Sequence, residues 1–75
     1  MEYSVLIEKK NDGSLPDGYF YAHIPALDLT THGMGIQGAK SAAEDLIHIW
    51  IEEKLAHSEP VPIEGDSYYS KIEIR

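Results

Sequence analysis

Apolar and polar residues alternate in three short stretches of the first half of the chain, with the period of two that marks a half-buried strand. The first stretch covers residues 3–7 and the second covers residues 19–24. Asn, Asp, Gly and Pro residues lie between them and favour turns, so they predict a hairpin with a long loop. Pro25 lacks a backbone donor and interrupts the pattern, after which residues 27–31 predict a short third strand.

The hydrophobic period changes after Gly33-Met34-Gly35, which is expected to break the extended run. From Ile36 to about His57 the apolar residues recur at helical spacing and predict one long helix. The stripe expected to cover the sheet contains Ile36, Ala39, Ala43, Leu46, Ile47 and Trp50. Ile49 and Ile51 lie roughly 100° to either side of Trp50, so we expect them to make a second contact, between copies of the chain.

The last part of the chain predicts one more strand. Pro60 and Pro62 end the helix, because proline cannot donate within a helix and disfavours helical geometry in the preceding residue. From Tyr68 to Arg75 the residues alternate again. The order β-β-β-α-β predicts a single α+β domain over residues 1–75, with a mixed four-stranded sheet of order 3-2-1-4 and the helix on one face.

Composition narrows the classes of function. The 75 residues contain no cysteine, which excludes disulfides, and so short a chain has a thin core that self-association would support. Six basic and thirteen acidic residues give a net charge of −7, which repels nucleic acid and attracts a basic partner. The sequence has neither a signal-peptide pattern nor a membrane-spanning stretch, so a cytoplasmic location is expected.

Several segments together resemble a known family. They are Ile7-Glu8, the run from Gly18 to Leu27 (Gly-Tyr-Phe-Tyr-Ala-His-Ile-Pro-Ala-Leu), Gly33, and an alanine-containing helix with Trp50. In this order they look like the HicB-like antitoxin domain over nearly the whole chain. The chain departs from the family pattern at Ala26, Asp28-Leu29 and Gly35, where the family usually has an acidic residue, a proline-glycine pair and a capping threonine.

The resemblance implies a partial ribonuclease-H-like fold and a particular kind of partner. HicB-like antitoxins pair with HicA, a small basic toxin of double-stranded-RNA-binding fold that cleaves messenger RNA, and they mask its active surface. Many members also carry a C-terminal helix-turn-helix or ribbon-helix-helix segment for operator DNA. No such DNA-binding domain is expected here, because the sequence to Arg75 leaves no residues to build one.

A ribonuclease-H-like fold raises the question of a catalytic carboxylate cluster. Glu8, Glu44 and Glu73 are predicted at strand ends or in solvent, so no magnesium site is expected. The four histidines lack the spacing of metal ligands. Gly33–Gly38 has the spacing of a dinucleotide fingerprint, but we interpret it as a sharp entry into the helix. We therefore predict a protein that is not an enzyme and has no catalytic residue, cofactor or metal.

The sheet face away from the helix is the candidate binding surface. It is predicted to carry Tyr19, Tyr21, His23 and Tyr69, an aromatic set that could stack on RNA bases, bind a protein or be merely amphipathic. Protein binding is favoured, because no arginine is interleaved and the chain is acidic. Tyr19, Tyr21 and Tyr69 are the candidate anchors. The candidate acidic contacts are Glu8, Asp12, Asp17, Asp28, Glu64 and Asp66.

Three hypotheses for function follow. The leading one is an antitoxin-like protein, assembled as a homodimer or higher oligomer, that binds and neutralises a small basic HicA-type toxin. The second is an orphan self-associating regulatory protein of the same fold. The third is a nucleic-acid-binding or hydrolytic module that retains the ribonuclease-H-like ancestry.

Overall fold

A computed structural model describes residues 2–9, 13–65 and 70–74 and has an α+β architecture. A three-stranded sheet packs one face against a single long helix, and a short 3-10 turn links the second and third strands. The elements are β1 (Leu6–Glu8), β2 (Tyr19–Ile24), the 3-10 turn (Pro25–Leu27), β3 (Leu29–Met34) and α1 (Gly35–Ala56). Within these described ranges, no helix is both long enough and apolar enough to cross a membrane.

The sheet is an antiparallel meander with β2 in the centre. Ala22 pairs with Ile7 on one side and Thr31 on the other, and its side chain points toward α1. Tyr21 pairs with Glu8 and His32, and side-chain alternation places these three on the opposite face. The 3-2-1 part of the predicted strand order is therefore confirmed.

The strand boundaries differ from the predicted ones at both edges of the sheet. β1 begins at Leu6 rather than at residue 3, and β3 extends to Met34. The prediction that Gly33-Met34-Gly35 breaks the extended run was wrong for its first two residues, which pair with Phe20 and Tyr19. Of these three residues, Gly35 makes the turn into α1. Its backbone φ angle is 69°, a left-handed conformation that glycine adopts with little steric strain.

The core is small and consists mainly of short side chains. The buried residues are Ala22, Ile24, Leu27, Ala39 and Ala43. Leu46, Ile47 and Trp50 of the predicted helix stripe pack against this core, but Ile36 is 57% exposed. The prediction for Ile36 was wrong because the last pair of the sheet is Tyr19–Met34 and α1 begins at the next residue, so Ile36 lies beyond the end of the sheet.

The described part of the predicted fourth strand, residues 70–74, is not paired with this sheet. Residues 70–74 are described as neither strand nor helix, and all of them are exposed. The remaining residues of the predicted strand, Tyr68, Tyr69 and Arg75, lie outside the described residues. The shown architecture is thus three strands and one helix.

The helix approaches the sheet most closely where two glycines meet. A Cβ atom on Gly33 would overlap the carbonyl group of Gly38 and lie 2.6 Å from the amide nitrogen of Ala39. A Cβ on Gly38 would find its nearest neighbour, the carbonyl carbon of Gly33, at an ordinary 3.5 Å. Gly33 is therefore required for the packing of α1 on β3, whereas Gly38 is not.

We predict that one added methyl group lowers the stability of the protein at Gly33 but not at Gly38. Gly33→Ala should lower the free energy of unfolding by about 2 kcal/mol or more, because backbone atoms must move apart. Gly38→Ala should leave it unchanged or raise it by up to about 1 kcal/mol, since alanine is the better helix former. Urea denaturation of both variants checks this; equal stabilities would contradict the close approach.

Candidate functional site

The face of the sheet opposite α1 has no second layer over it within the described part of the chain. We call this surface the open face. Strand register and side-chain alternation assign to it Leu6, Glu8, Tyr19, Tyr21, His23, Thr30, His32 and Met34. Each of these side chains is at least partly exposed, and Met34 is 64% exposed.

Contacts of β2 side chains with β3 and with the loop before β2 involve several of these residues. Nδ1 of His23 lies 2.9 Å from the hydroxyl of Thr30, and the Tyr21 hydroxyl lies 2.9 Å from that of Ser14. The rings of Tyr19 and His32 are 6.2 Å apart between centroids, with planes inclined by 50°. Side chains that are already ordered lose less entropy on binding, so this face is suited to recognition.

The chemistry of the open face favours protein over phosphate. Tyrosine and methionine are enriched in protein interfaces, and charged residues are depleted from their centres. Glu8 is the one carboxylate among the residues assigned to this face, and none of those residues is lysine or arginine. A nucleic-acid backbone is bound mainly by lysine and arginine, which this set of residues lacks.

The structure brings three of the sequence-predicted contact residues together. Tyr19, Tyr21 and Glu8 share the open face, with Glu8 directly opposite Tyr21. Asp17 lies in the turn that precedes β2, whereas Asp28 follows the 3-10 turn at the other end of that strand. These two aspartates are exposed and flank the sheet from opposite ends. Tyr69, Asp12 and Asp66 fall outside the described residues.

Glu64, another predicted acidic contact, is engaged within the chain. Its two carboxylate oxygens accept hydrogen bonds of 2.7 Å from the backbone amide and the hydroxyl of Ser4. The hydroxyl of Tyr3, the residue before Ser4, donates a hydrogen bond to the backbone carbonyl of Pro62. These bonds fasten the segment after α1 to the segment before β1, a role that no local sequence pattern indicates.

The two isoleucines predicted to contact another copy have different surroundings. Ile49 is 64% exposed on the outer side of α1. Ile51 is half-buried and lines a cavity of about 500 Å³ between α1 and the segment that leads into β1. We call this cavity the β1 groove; its walls are formed by Tyr3, Val5, Lys40, Glu44, Ile47, His48 and Ile51.

The remaining polar groups are dispersed over the surface. His48 lies 4.0 Å from Glu44 and His57 lies 3.0 Å from Glu53, both as exposed pairs one helical turn apart. Among the residues that the structure describes, no three His, Asp or Glu side chains are grouped to hold a metal ion. Glu8 lies on the open face, Glu44 at the groove and Glu73 in the exposed 70–74 segment, so these acids do not converge.

Comparisons with protein-family models, curated proteins and solved structures found no match to this chain.

The fastening by Glu64 can be tested in isolation. We predict that Glu64→Ala speeds hydrogen exchange at the Ser4 amide by about tenfold, because that amide loses its charged acceptor. Glu59→Ala, which removes only an exposed pair with Lys54, should leave the Ser4 amide unchanged. Amide exchange followed by NMR measures both. Equal exchange rates in the two variants would mean that the Glu64 bonds do not hold the segment in solution.

Proposed function

We propose that this protein is an antitoxin-like binding protein that neutralises a small basic, mRNA-cleaving toxin of the HicA type by covering its active surface. The observation that carries the proposal is the open face, an ordered aromatic and apolar surface without a covering layer in the described chain. Burial of such a face against a partner removes apolar area from water, which is the main driving force for association. The resemblance to HicB-like antitoxins supplies the class of partner.

Charge supports a basic partner. The net charge of −7 attracts a cationic protein at long range and accelerates encounter. Glu8, Asp17 and Asp28 are exposed at or around the open face, where they can meet lysines or arginines at the rim of an interface. Tyr19 and Tyr21 then form its centre, since tyrosines are frequent anchors in protein complexes.

The proposal includes a fourth strand beside β1, which would complete the order 3-2-1-4 of a partial ribonuclease-H-like sheet. Two observations support it. In the described chain, the outer edge of β1 has no strand paired with it, and the β1 groove beneath that edge has partly apolar walls. An exposed sheet edge is also a template for strand addition. A cytoplasmic location, beside a toxin that acts on messenger RNA, belongs to the same proposal.

A second candidate is an orphan regulatory protein that associates only with itself. Exposed Ile49 and the partly apolar β1 groove favour it, because both offer surface for contact between copies. The two candidates differ in one outcome: only the antitoxin forms a complex with a basic ribonuclease and suppresses its cleavage of RNA. Co-expression with a small basic protein encoded beside this chain, followed by size-exclusion chromatography and a cleavage assay, separates them.

We predict that the open face dominates toxin binding. Tyr19→Ala and Tyr21→Ala should each weaken the complex by about tenfold or more, as expected for the loss of an aromatic anchor. The control is Leu55→Ala, a comparable truncation of a side chain that is 64% exposed on α1. Calorimetric titration with the toxin measures all three. If Leu55→Ala weakens binding while both tyrosine variants bind normally, the interface lies on the helix and the proposal fails.

A further inference from the structure

We propose that the β1 groove binds residues 70–74 of a second copy of this chain, so that two copies exchange these segments reciprocally. The inference rests on the proposed fourth strand and assigns its source to another molecule. It does not depend on the identity of the toxin. Reciprocal exchange of an identical element is a common route from monomer to symmetric dimer.

The β1 groove has the shape and lining that an added strand requires. Val5 forms one wall on the approach to β1, and Ile47 and Ile51 form the other on α1. The helix lies mainly over β2 and β3 and has few contacts with β1, which leaves this side of the sheet uncovered. A strand placed against the outer edge of β1 would cover both walls and pair with its backbone.

Residues 70–74 have the pattern of the missing strand. Ile72 and Ile74 alternate with Lys71 and Glu73, so an extended segment has one apolar and one charged face. The two isoleucines are 81% and 84% exposed, although burial of such side chains is strongly favourable. The segment therefore has the sequence pattern of a strand, and its apolar side chains stay exposed in the described part of the chain.

The direction of residues 62–64 favours binding of residues 70–74 in the β1 groove of a second copy rather than in the groove of their own chain. The bonds from Tyr3 to Pro62 and from Ser4 to Glu64 show that residues 62–64 run in the same direction as the approach to β1. Ile72 follows Glu64 by eight residues, a reach of about 26 Å in extended chain. Val5, which adjoins Ser4, lines the β1 groove, yet none of residues 70–74 lines this groove in their own chain.

The dimensions of the molecule agree with a segment that projects from the body. The radius of gyration is 14.3 Å, whereas a compact chain of this length has about 11 Å. The longest dimension of 46 Å exceeds the length of α1, which is about 33 Å for its helical rise. The molecule is thus more extended than a compact chain of its length, and residues 70–74 are exposed in it.

Cysteine trapping tests the exchange directly, because the chain has no native cysteine. A tagged chain with Val5→Cys is refolded together with an untagged chain carrying Ile72→Cys, and the mixture is oxidised. Exchange predicts a disulfide-linked heterodimer on a non-reducing gel. The matched control replaces Ile72→Cys by Lys71→Cys, whose side chain points to the other face of the strand and should give little of the same product.

Two results would overturn the proposal. If a single chain carrying both Val5→Cys and Ile72→Cys forms only an internal disulfide, and the mixture gives no heterodimer, the segment fills its own groove. If neither sample forms a disulfide, the groove does not bind this segment. As a second measurement, Ile72→Lys should raise the dissociation constant of the dimer by about tenfold or more, while Lys71→Ala should leave it unchanged; sedimentation of the two variants measures both.

Discussion

The packing of α1 against β2 and β3 through very small side chains is the constraint on which the rest of the structure depends. Gly33 of β3 and Gly38 of α1 are in close backbone contact, and Ala22, Ala39 and Ala43 add a buried seam of small side chains between the layers. Such contacts bring backbones together but bury little apolar area, so they leave a thin core. The helix lies along this seam, mainly over β2 and β3, and both candidate surfaces result from that position.

The open face results from the presence of one helical layer, α1, in the described part of the chain. Because α1 covers one face of the sheet, Tyr19, Tyr21 and their neighbours remain open on the other. The second surface results from the lateral position of the helix, which leaves Val5, Ile47 and Ile51 around a groove beside β1. In our proposal these surfaces have separate tasks: the groove joins two copies, and the open face binds a basic toxin.

The sequence predicted the parts of the fold that depend on local periodicity. The boundaries of β2 agree with the alternation of residues 19–24, and α1 begins and ends about one residue earlier than the predicted helix. The prediction failed where distant residues decide the outcome. Gly33 reads locally as a strand breaker, yet it stays in β3 because it pairs with Phe20 of β2.

The candidate site, like the fold, was predictable only where local periodicity decides the position of a residue. Alternation alone assigns Tyr19 and Tyr21 to the face away from the helix, and the register adds Glu8, Leu6 and Met34 to it. The role of Glu64 could not be read from sequence, because its partner Ser4 is 60 residues away. Nor could the β1 groove, which exists because no described strand lies beside β1.

Mapping the bound toxin on this protein by NMR chemical-shift changes tests the central claim most directly. The account predicts that the largest changes fall on the open face, at Leu6, Tyr19, Tyr21 and His32, and that the outer side of α1 around Ile49 changes little. Changes concentrated on the outer side of α1, with the open face unaffected, would contradict it.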